Sequence, residues 1–408
     1  MTFPDTAKPK LRPGIEAGRF PETPDGMITL YDRVGLTRTA VNVSQMAAWL
    51  IGQMDGSHTL AWIRQTFEQA AQQRMEDGTL EALVGRLDEC LFLEGPTFEA
   101  HYASLVEQYR SLPERPALAA GMQSGPDGLA DELAGILADA AAVDGDDAVV
   151  GLIAPHLDYA RGRPCYAAAY SRIARRRRPD RIVVLGTNHA ARTLAPTVTG
   201  HAYATALGRT PADVEFIERL ESRCGDLRRC ELDHAFEHSV ELQVIWCQHL
   251  FGADQFQLVP ILCSDPTAPT EVLPPTAGRM GAAEVGQALH ELLADDPKDT
   301  LLIAGADLSH VGRAFGDVRL LDAAFLQEVR ERDTVVLDHV KANNARAFLE
   351  AFSGDNNPTR VCSIGCIYML MRALPGARAD VIAYHQAVDQ GAQTGVTCAA
   401  AVLVGGKA

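Results

Sequence analysis

Three short apolar runs each stop at side chains that can bind a metal or move a proton. Ala148–Ala154 (AVVGLIA) leads into Pro155-His156, Arg181–Leu185 (RIVVL) into Gly186-Thr187-Asn188-His189, and Thr300–Gly305 (TLLIAG) into Ala306-Asp307-Leu308-Ser309-His310. Imidazole titrates near neutral pH and is the commonest metal ligand, so three histidines at successive strand ends suit either task. Ten of the twelve histidines follow residue 120. A fourth feature is Cys362, which opens the helical pattern CSIGCIYMLMRAL after the string NNPTR. A helix N-terminus favours a thiolate, which suits a ligand or a nucleophile; Cys366, one turn later, is the competing candidate. The fifth feature is the segment Asp233–Glu241 (DHAFEHSVE). There Glu237, His238 and Glu241 are expected to start a helix running through Trp246. His238 and Glu241 adjoin the apolar stripe of Val240, Val244 and Ile245 and could point inward, although acids at a helix start are also ordinary dipole chemistry. Close-spaced metal motifs such as HExxH and CxxC are absent, so any metal site must be assembled from distant parts of the chain.

The elements that must position these residues follow from periodicity. From residue 147 to 408, strand-length apolar runs at 148–154, 181–185, 256–262, 300–305 and 396–404 alternate with helical patterns at 165–176, 211–223, 237–250, 280–294, 334–351 and 362–374. This order predicts an α/β domain with a central mixed or parallel sheet flanked by helices, whose ligand sites form beyond the carboxyl ends of the strands. Residues 113–146 are rich in Ala, Gly, Asp and Pro and read as a linker with a helical middle. Residues 1–112 read as a small winged-helix-like module: a strand at Met27–Tyr31, a helix capped by Ser44, a second at Thr59–Gln72 and a third at Thr79–Cys90.

Composition narrows the function classes. With 408 residues, 47% hydrophobic and 22% charged, the chain can bury a sizeable core and is not a disordered sequence. Net charge is -16. Residues 1–120 carry 11 Lys+Arg against 16 Asp+Glu, a net of −5, which opposes the DNA-binding role that a winged helix would otherwise suggest. The run Arg175–Arg178 reads as a solvated helix C-terminus. No apolar stretch has membrane-spanning length, and the first twenty residues lack an apolar h-region. A cytoplasmic protein with nine reduced cysteines, bound to neither nucleic acid nor membrane, is expected.

The strings GLIAPHLDYARGRPCYAAAY, VVLGTNHA, TALG, FEHSVELQVIWCQHLFG, LVPILC, ADLSHVG and NNPTRVCSIGCIYML, in this order across residues 148–408, resemble the Memo family. Within that family they resemble the variant of the bacterial AmmeMemoRadiSam system, its component B. The resemblance implies a fold like that of class III extradiol dioxygenases. It implies a metal site built from His156, His189 and Cys362, with Asp307, His310, Glu237 and His238 as catalytic neighbours and Ser239 completing the EHS motif. Two imidazoles and a thiolate suit iron or copper, with zinc compatible; with Asp307 in place of the cysteine, the set becomes two histidines and a carboxylate. The implied activity is metal-dependent, dioxygenase-like oxidoreduction of a small-molecule or peptide substrate, with His238 or His310 as general acid or base. The implied partner is a radical-SAM protein. The alternatives are a non-enzymatic scaffold with a vestigial metal pocket and zinc-dependent hydrolysis. Two departures stand out: Gln243 occupies a position where animal Memo sequences have histidine, and Leu157-Asp158 replaces a small pair and is expected to narrow the pocket mouth. The N-terminal order DGMITLYD, SQMAAWLIGQMDGSHTLAWI and LVGRLDECLFL resembles PqqD-like domains, which implies addition of an extended peptide to a strand edge. A structural or dimerising accessory domain is the simpler alternative.

Overall fold

The computed structural model describes residues 3–118, 124–140, 148–268, 280–354 and 357–405. The chain divides into two compact units, Met1–Ser111 and Leu112–Ala408.

In the first unit, β1 (Ile15–Gly18), β2 (Met27–Asp32) and β3 (Ala40–Ser44) form an antiparallel sheet in that order, with β3 at an edge. Four helices follow: α1 (Gln45–Ile51), α2 (Leu60–Ala71), α3 (Thr79–Glu89) and α4 (Pro96–Arg110). Ser44 and Thr59 cap α1 and α2, each hydroxyl accepting from the backbone N–H three residues on. Leu30, Val43, Leu50, Leu60, Ile63, Leu80, Val84 and Leu87 close the core, while Met46, Trp49 and Trp62 stay exposed.

The second unit begins with β4 (Glu114–Arg115) and α5 (Gly125–Ala138), so the described part of the stretch read as a linker carries a strand and a helix of this unit. Residues 119–123 and 141–147, including the expected junction at 146/147, lie outside the described residues. Next come β5 (Val149–Ala154), α6 (Arg163–Ser171), β6 (Arg181–Thr187), β7 (Thr197–Val198), β8 (Ala202–Thr205), β9 (Gly208–Thr210) and α7 (Val214–Cys224). They lead into α8 (Ser239–Phe251), β10 (Gln257–Cys263), α9 (Ala282–Ala294), β11 (Thr300–Gly305) and β12 (Asp307–Gly312). The chain closes with α10 (Ala323–Lys341), α11 (Ala345–Glu350), α12 (Ile364–Ala373), β13 (Arg378–Asp389) and β14 (Thr394–Val404).

The central sheet is mixed, as the alternation predicts. β5, β11, β6 and β10 run parallel in that order; β14 joins β5 antiparallel and carries β12 and β13, and β7 closes the other side. Strand residues alternate between two cores. Ile182, Val184, Leu301 and Ile303 pack with α5, α6 and α8, whereas Val183, Leu185, Leu302 and Ala304 pack with α7, α9 and α12. No helix among the described residues is long and apolar enough to cross a membrane.

Several local expectations change. Helix α6 stops at Ser171, so the arginine run lies beyond it. Arg176 is buried there, bonded to the Val149 carbonyl and both Asp299 oxygens, and is no solvated tail. The expected 334–351 helix is two helices: Asn343 takes a left-handed φ of 46° and Asn344 caps α11 through its side chain. Asp307–His310 does not simply trail a strand but starts β12, which runs on in the sense of β11 and pairs antiparallel with β14.

One buried ion pair ties the start of this unit to α8. The Arg115 guanidinium bonds the Glu241 carboxylate, and Arg115 also donates to the carbonyls of His234 and Glu237, each at 2.8 Å. Both side chains are essentially fully buried. Removing one member of such a pair strands the other charge, so Arg115→Met should lower the unfolding free energy by about 3–5 kcal/mol in urea titrations. Adding Glu241→Leu should recover part of that loss.

Candidate functional site

Strand register places the first three groups. Gly305 stands opposite both Ala154 of β5 and Gly186 of β6, so Pro155-His156, Ala306-Asp307 and Thr187-Asn188-His189 leave the sheet at one level. Two helix starts close over them. A Cβ on Gly305 would sit 2.7 Å from the Ser239 carbonyl oxygen, showing how tightly the first turn of α8 seats on β11. A Cβ on Gly365 would lie 2.2 Å from the Ser264 oxygen, so the first turn of α12 seats equally tightly beyond β10. Glu237 and His238 enter with the first helix and Cys362 with the second. All three lie just outside the helices they were expected to open, because α8 begins at Ser239 and α12 at Ile364.

Bonds at Nδ1 orient both imidazoles. His156 Nδ1 lies 3.0 Å from the Gly305 carbonyl oxygen, to which it donates. Its Nε2 then faces Cys362 Sγ and Asp307 Oδ2, each at 3.6 Å. His189 donates to Glu237 Oε2 twice, from Nδ1 at 2.9 Å and from its backbone N–H at 3.0 Å. One nitrogen from each ring and the Cys362 sulfur lie within 4.8 Å of one another. Metal-binding histidines characteristically tie off their second nitrogen in this way, so His156, His189 and Cys362 fit a metal both in donor type and in orientation. A second cluster among the described residues, His189, Glu237 and His238, shares one ligand with the first.

Glu237 is the acid that organises the cluster. Its Oε1 accepts from Ser239 N–H at 2.9 Å and lies 3.3 Å from His238 Nδ1. Burial opposes its ionisation, but His189, His238 and the Ser239 N–H hold the carboxyl well below the usual range. Burial likewise opposes the charged form of His156, yet Asp307 and Cys362 raise its pKa to about 10. His189 is raised against burial by Glu237 and Cys362. Desolvation works against the Cys362 thiolate, and His156 and His189 outweigh it, so the thiol falls well below its ordinary value. His238 goes the other way: burial, helped by His156 and His189, lowers it to about 4 despite Glu237. The two imidazoles and the thiolate thus favour one another's charged forms across the pocket.

The structure gathers His156, His189, Cys362, Asp307, Glu237 and His238 in one pocket, open to solvent along His189, His238 and Cys362. Asp307 Oδ1 accepts from the His156 backbone N–H at 3.1 Å. His310 stands to the side on β12, its ring edge-on to Phe315 at 5.1 Å and its Nδ1 3.1 Å from the Leu308 carbonyl oxygen. Cys366 turns inward, buried against Thr187 Oγ1 at 3.4 Å. The side chain of Leu157 is buried against Ala387, Val396 and Phe315, and Asp158 pairs with Arg161.

The supporting roles of two named residues were not read from the sequence. Gln243 does not enter the pocket: it donates to the Pro155 carbonyl at 2.7 Å and accepts from Tyr170 at 2.6 Å, bracing the turn that carries His156. Asn188 donates to Asp233 at 2.8 Å and accepts from Ala190 N–H, shaping the His189 turn. Asn188 was legible as a turn former beside a histidine; Gln243 stood out only as a departure from the family pattern, and nothing in its helical surroundings signalled a bracing role.

His234 is buried and neutral. Its Nε2 donates to the Thr197 carbonyl at 3.1 Å and its Nδ1 accepts from Tyr203 at 2.7 Å. Burial, with Arg115 nearby, lowers its pKa to about 3 from 6.5. The unfolded chain therefore binds the extra proton first. This residue's contribution is complete above pH 6.5 and is lost at about 1.4 kcal/mol per pH unit as pH falls toward 3. Urea unfolding between pH 6.5 and 5 should show a shallower pH slope in His234→Gln, by about one proton.

A family model described as Memo-like protein matches residues 115–404. A MEMO1 family protein of Methanopyrus kandleri is 25% identical over 250 residues, covering 60% of this chain and 79% of the relative. Another, from Thermus thermophilus, is 29% identical over 309 residues, covering 75% and 87%. A third, from Methanosarcina acetivorans, is 26% identical over 260 residues, covering 63% and 86%.

Proposed function

This chain belongs to the Memo family, and on that premise we propose that it is a metal-dependent oxidoreductase resembling the class III extradiol dioxygenases. The observation that carries this reading is the convergence of His156, His189 and Cys362 within 4.8 Å, with both imidazoles oriented from behind. These three would hold iron or copper, with zinc also compatible with the donor set. A bound redox metal supplies one-electron and O₂ chemistry that no side chain offers.

The protein's own residues supply positioning and proton transfer. His238 is only partly buried and its Nδ1 faces Glu237, which leaves its Nε2 to exchange a proton with a substrate hydroxyl or amide. Glu237 holds His189 and His238 in register. Asp307 sets the charge beside His156, and His310 borders the pocket as a second acid or base. The substrate is a small molecule or a peptide. The edge strand β3 of the first unit supports a peptide-binding role, since an extended peptide can add its backbone hydrogen bonds to an open edge. In this reading a radical-SAM protein is the partner, and the net charge of -16 argues against nucleic acid.

The test is metal analysis of anaerobically purified protein, followed by O₂ uptake on adding Fe(II) or Cu(I). About one metal per chain is expected, with binding lost in His189→Ala and Cys362→Ala. Absence of stoichiometric metal, with unaltered folding in His156→Ala, would favour the scaffold reading, and bound zinc without redox response would favour hydrolysis. Glu237→Gln tests the supporting shell. It keeps the shape of the side chain but not its charge, so metal affinity should fall about 10–100-fold by competition titration with a chelator.

A further inference from the structure

Beneath Cys362 lies a chain of hydroxyls that the metal reading leaves unused. Ser363 is fully buried at the N-cap position of α12, where its hydroxyl takes no bond from the helix's own N–H groups. Its Oγ accepts from the Asp307 backbone N–H at 3.0 Å and lies 2.9 Å from Thr187 Oγ1 and 3.3 Å from Cys362 Sγ. Thr187 Oγ1 in turn lies 3.4 Å from Cys366 Sγ.

Proton counting fixes the direction of this chain. A hydroxyl has one proton to give and two lone pairs to fill. The Asp307 N–H can only donate, so it takes one lone pair of Ser363 Oγ. A metal-ligating cysteine is a thiolate and can only accept. If Thr187 donates to Ser363, both lone pairs of Ser363 are filled and its proton points to Cys362 Sγ. If Ser363 instead donates to Thr187, the thiolate loses this donor and the Thr187 proton is left facing only the sulfur of Cys366, a weak acceptor. The first arrangement satisfies every group.

We infer that Ser363 is a positioning residue for the metal-binding sulfur: its hydroxyl, oriented by the Asp307 N–H and by Thr187, donates to Cys362 Sγ and withdraws electron density from it. This rests on the reading of Cys362 as a metal ligand. Hydrogen bonds to ligand sulfurs raise the reduction potential of sulfur-bound metal centres, so Ser363 biases the site toward its reduced metal.

Cobalt(II) added to the metal-free full-length chain reports on the sulfur directly, through the thiolate-to-metal charge-transfer absorption. Ser363→Ala should move that band to longer wavelength, because a sulfur stripped of its donor gives up electron density more easily. Ser363→Thr should keep the wild-type band, and Thr187→Val should shift it the same way by less. A band unmoved in Ser363→Ala overturns the inference; should that variant fail to fold, an unmoved band in Thr187→Val does so. A wild-type protein without the band, or a band that survives Cys362→Ala, overturns the ligand reading itself.

Discussion

The site depends on how closely two helix starts can approach the strand ends. The first turn of α8 rests on β11 at Gly305 and the first turn of α12 rests beyond β10 at Gly365, in both cases with no room for a Cβ. Glu237 and His238 arrive with one helix and Cys362 with the other, while His156, Asp307 and His189 come from the strands. Interiors pack at crystal-like density and a misplaced methyl group is felt, so this contact also sets the distances in the pocket. A looser seat would leave the same residue types too far apart to share a ligand.

Such closeness brings buried charge, and the fold pairs it in layers. Glu237 is shared among His189, His238 and the Ser239 N–H, and Glu241, one turn on, is matched by Arg115. Burying a carboxylate without partners would cost more than the fold could offset, whereas partnered it fixes geometry. Arg115 also bonds the carbonyls of His234 and Glu237, so the segment leading into α8 is held at both its backbone and its carboxylate. Ser363, Thr187 and Gln243 extend the same logic behind Cys362 and His156.

Much of this was legible in the sequence. Parallel buried strands read as near-continuous apolar runs, and β5, β6, β10 and β11 were each found close to their true ends. Beyond several short strands, periodicity also missed the long β13, whose residues are mostly half-buried and follow neither a clean apolar run nor a clean alternation. The break between α10 and α11 hinges on two asparagines that a helical pattern absorbs without a break in its apolar stripe. Arg176 looked like part of a solvated run because charge composition cannot reveal that Asp299, 123 residues away, waits to pair with it.

By itself, then, the sequence determined the family, the sheet-and-helix alternation and the residue types at each strand end. All of these follow from local hydrophobic pattern and from motifs read along the chain. Only the tertiary structure decided which of those residues meet. It turned Cys362 toward His156 and Cys366 inward to Thr187, placed Glu237 behind His189, and set Gln243 under Pro155. The reason is physical: convergence depends on strand register and on helix seating at Gly305 and Gly365, which are contacts between residues far apart in the chain.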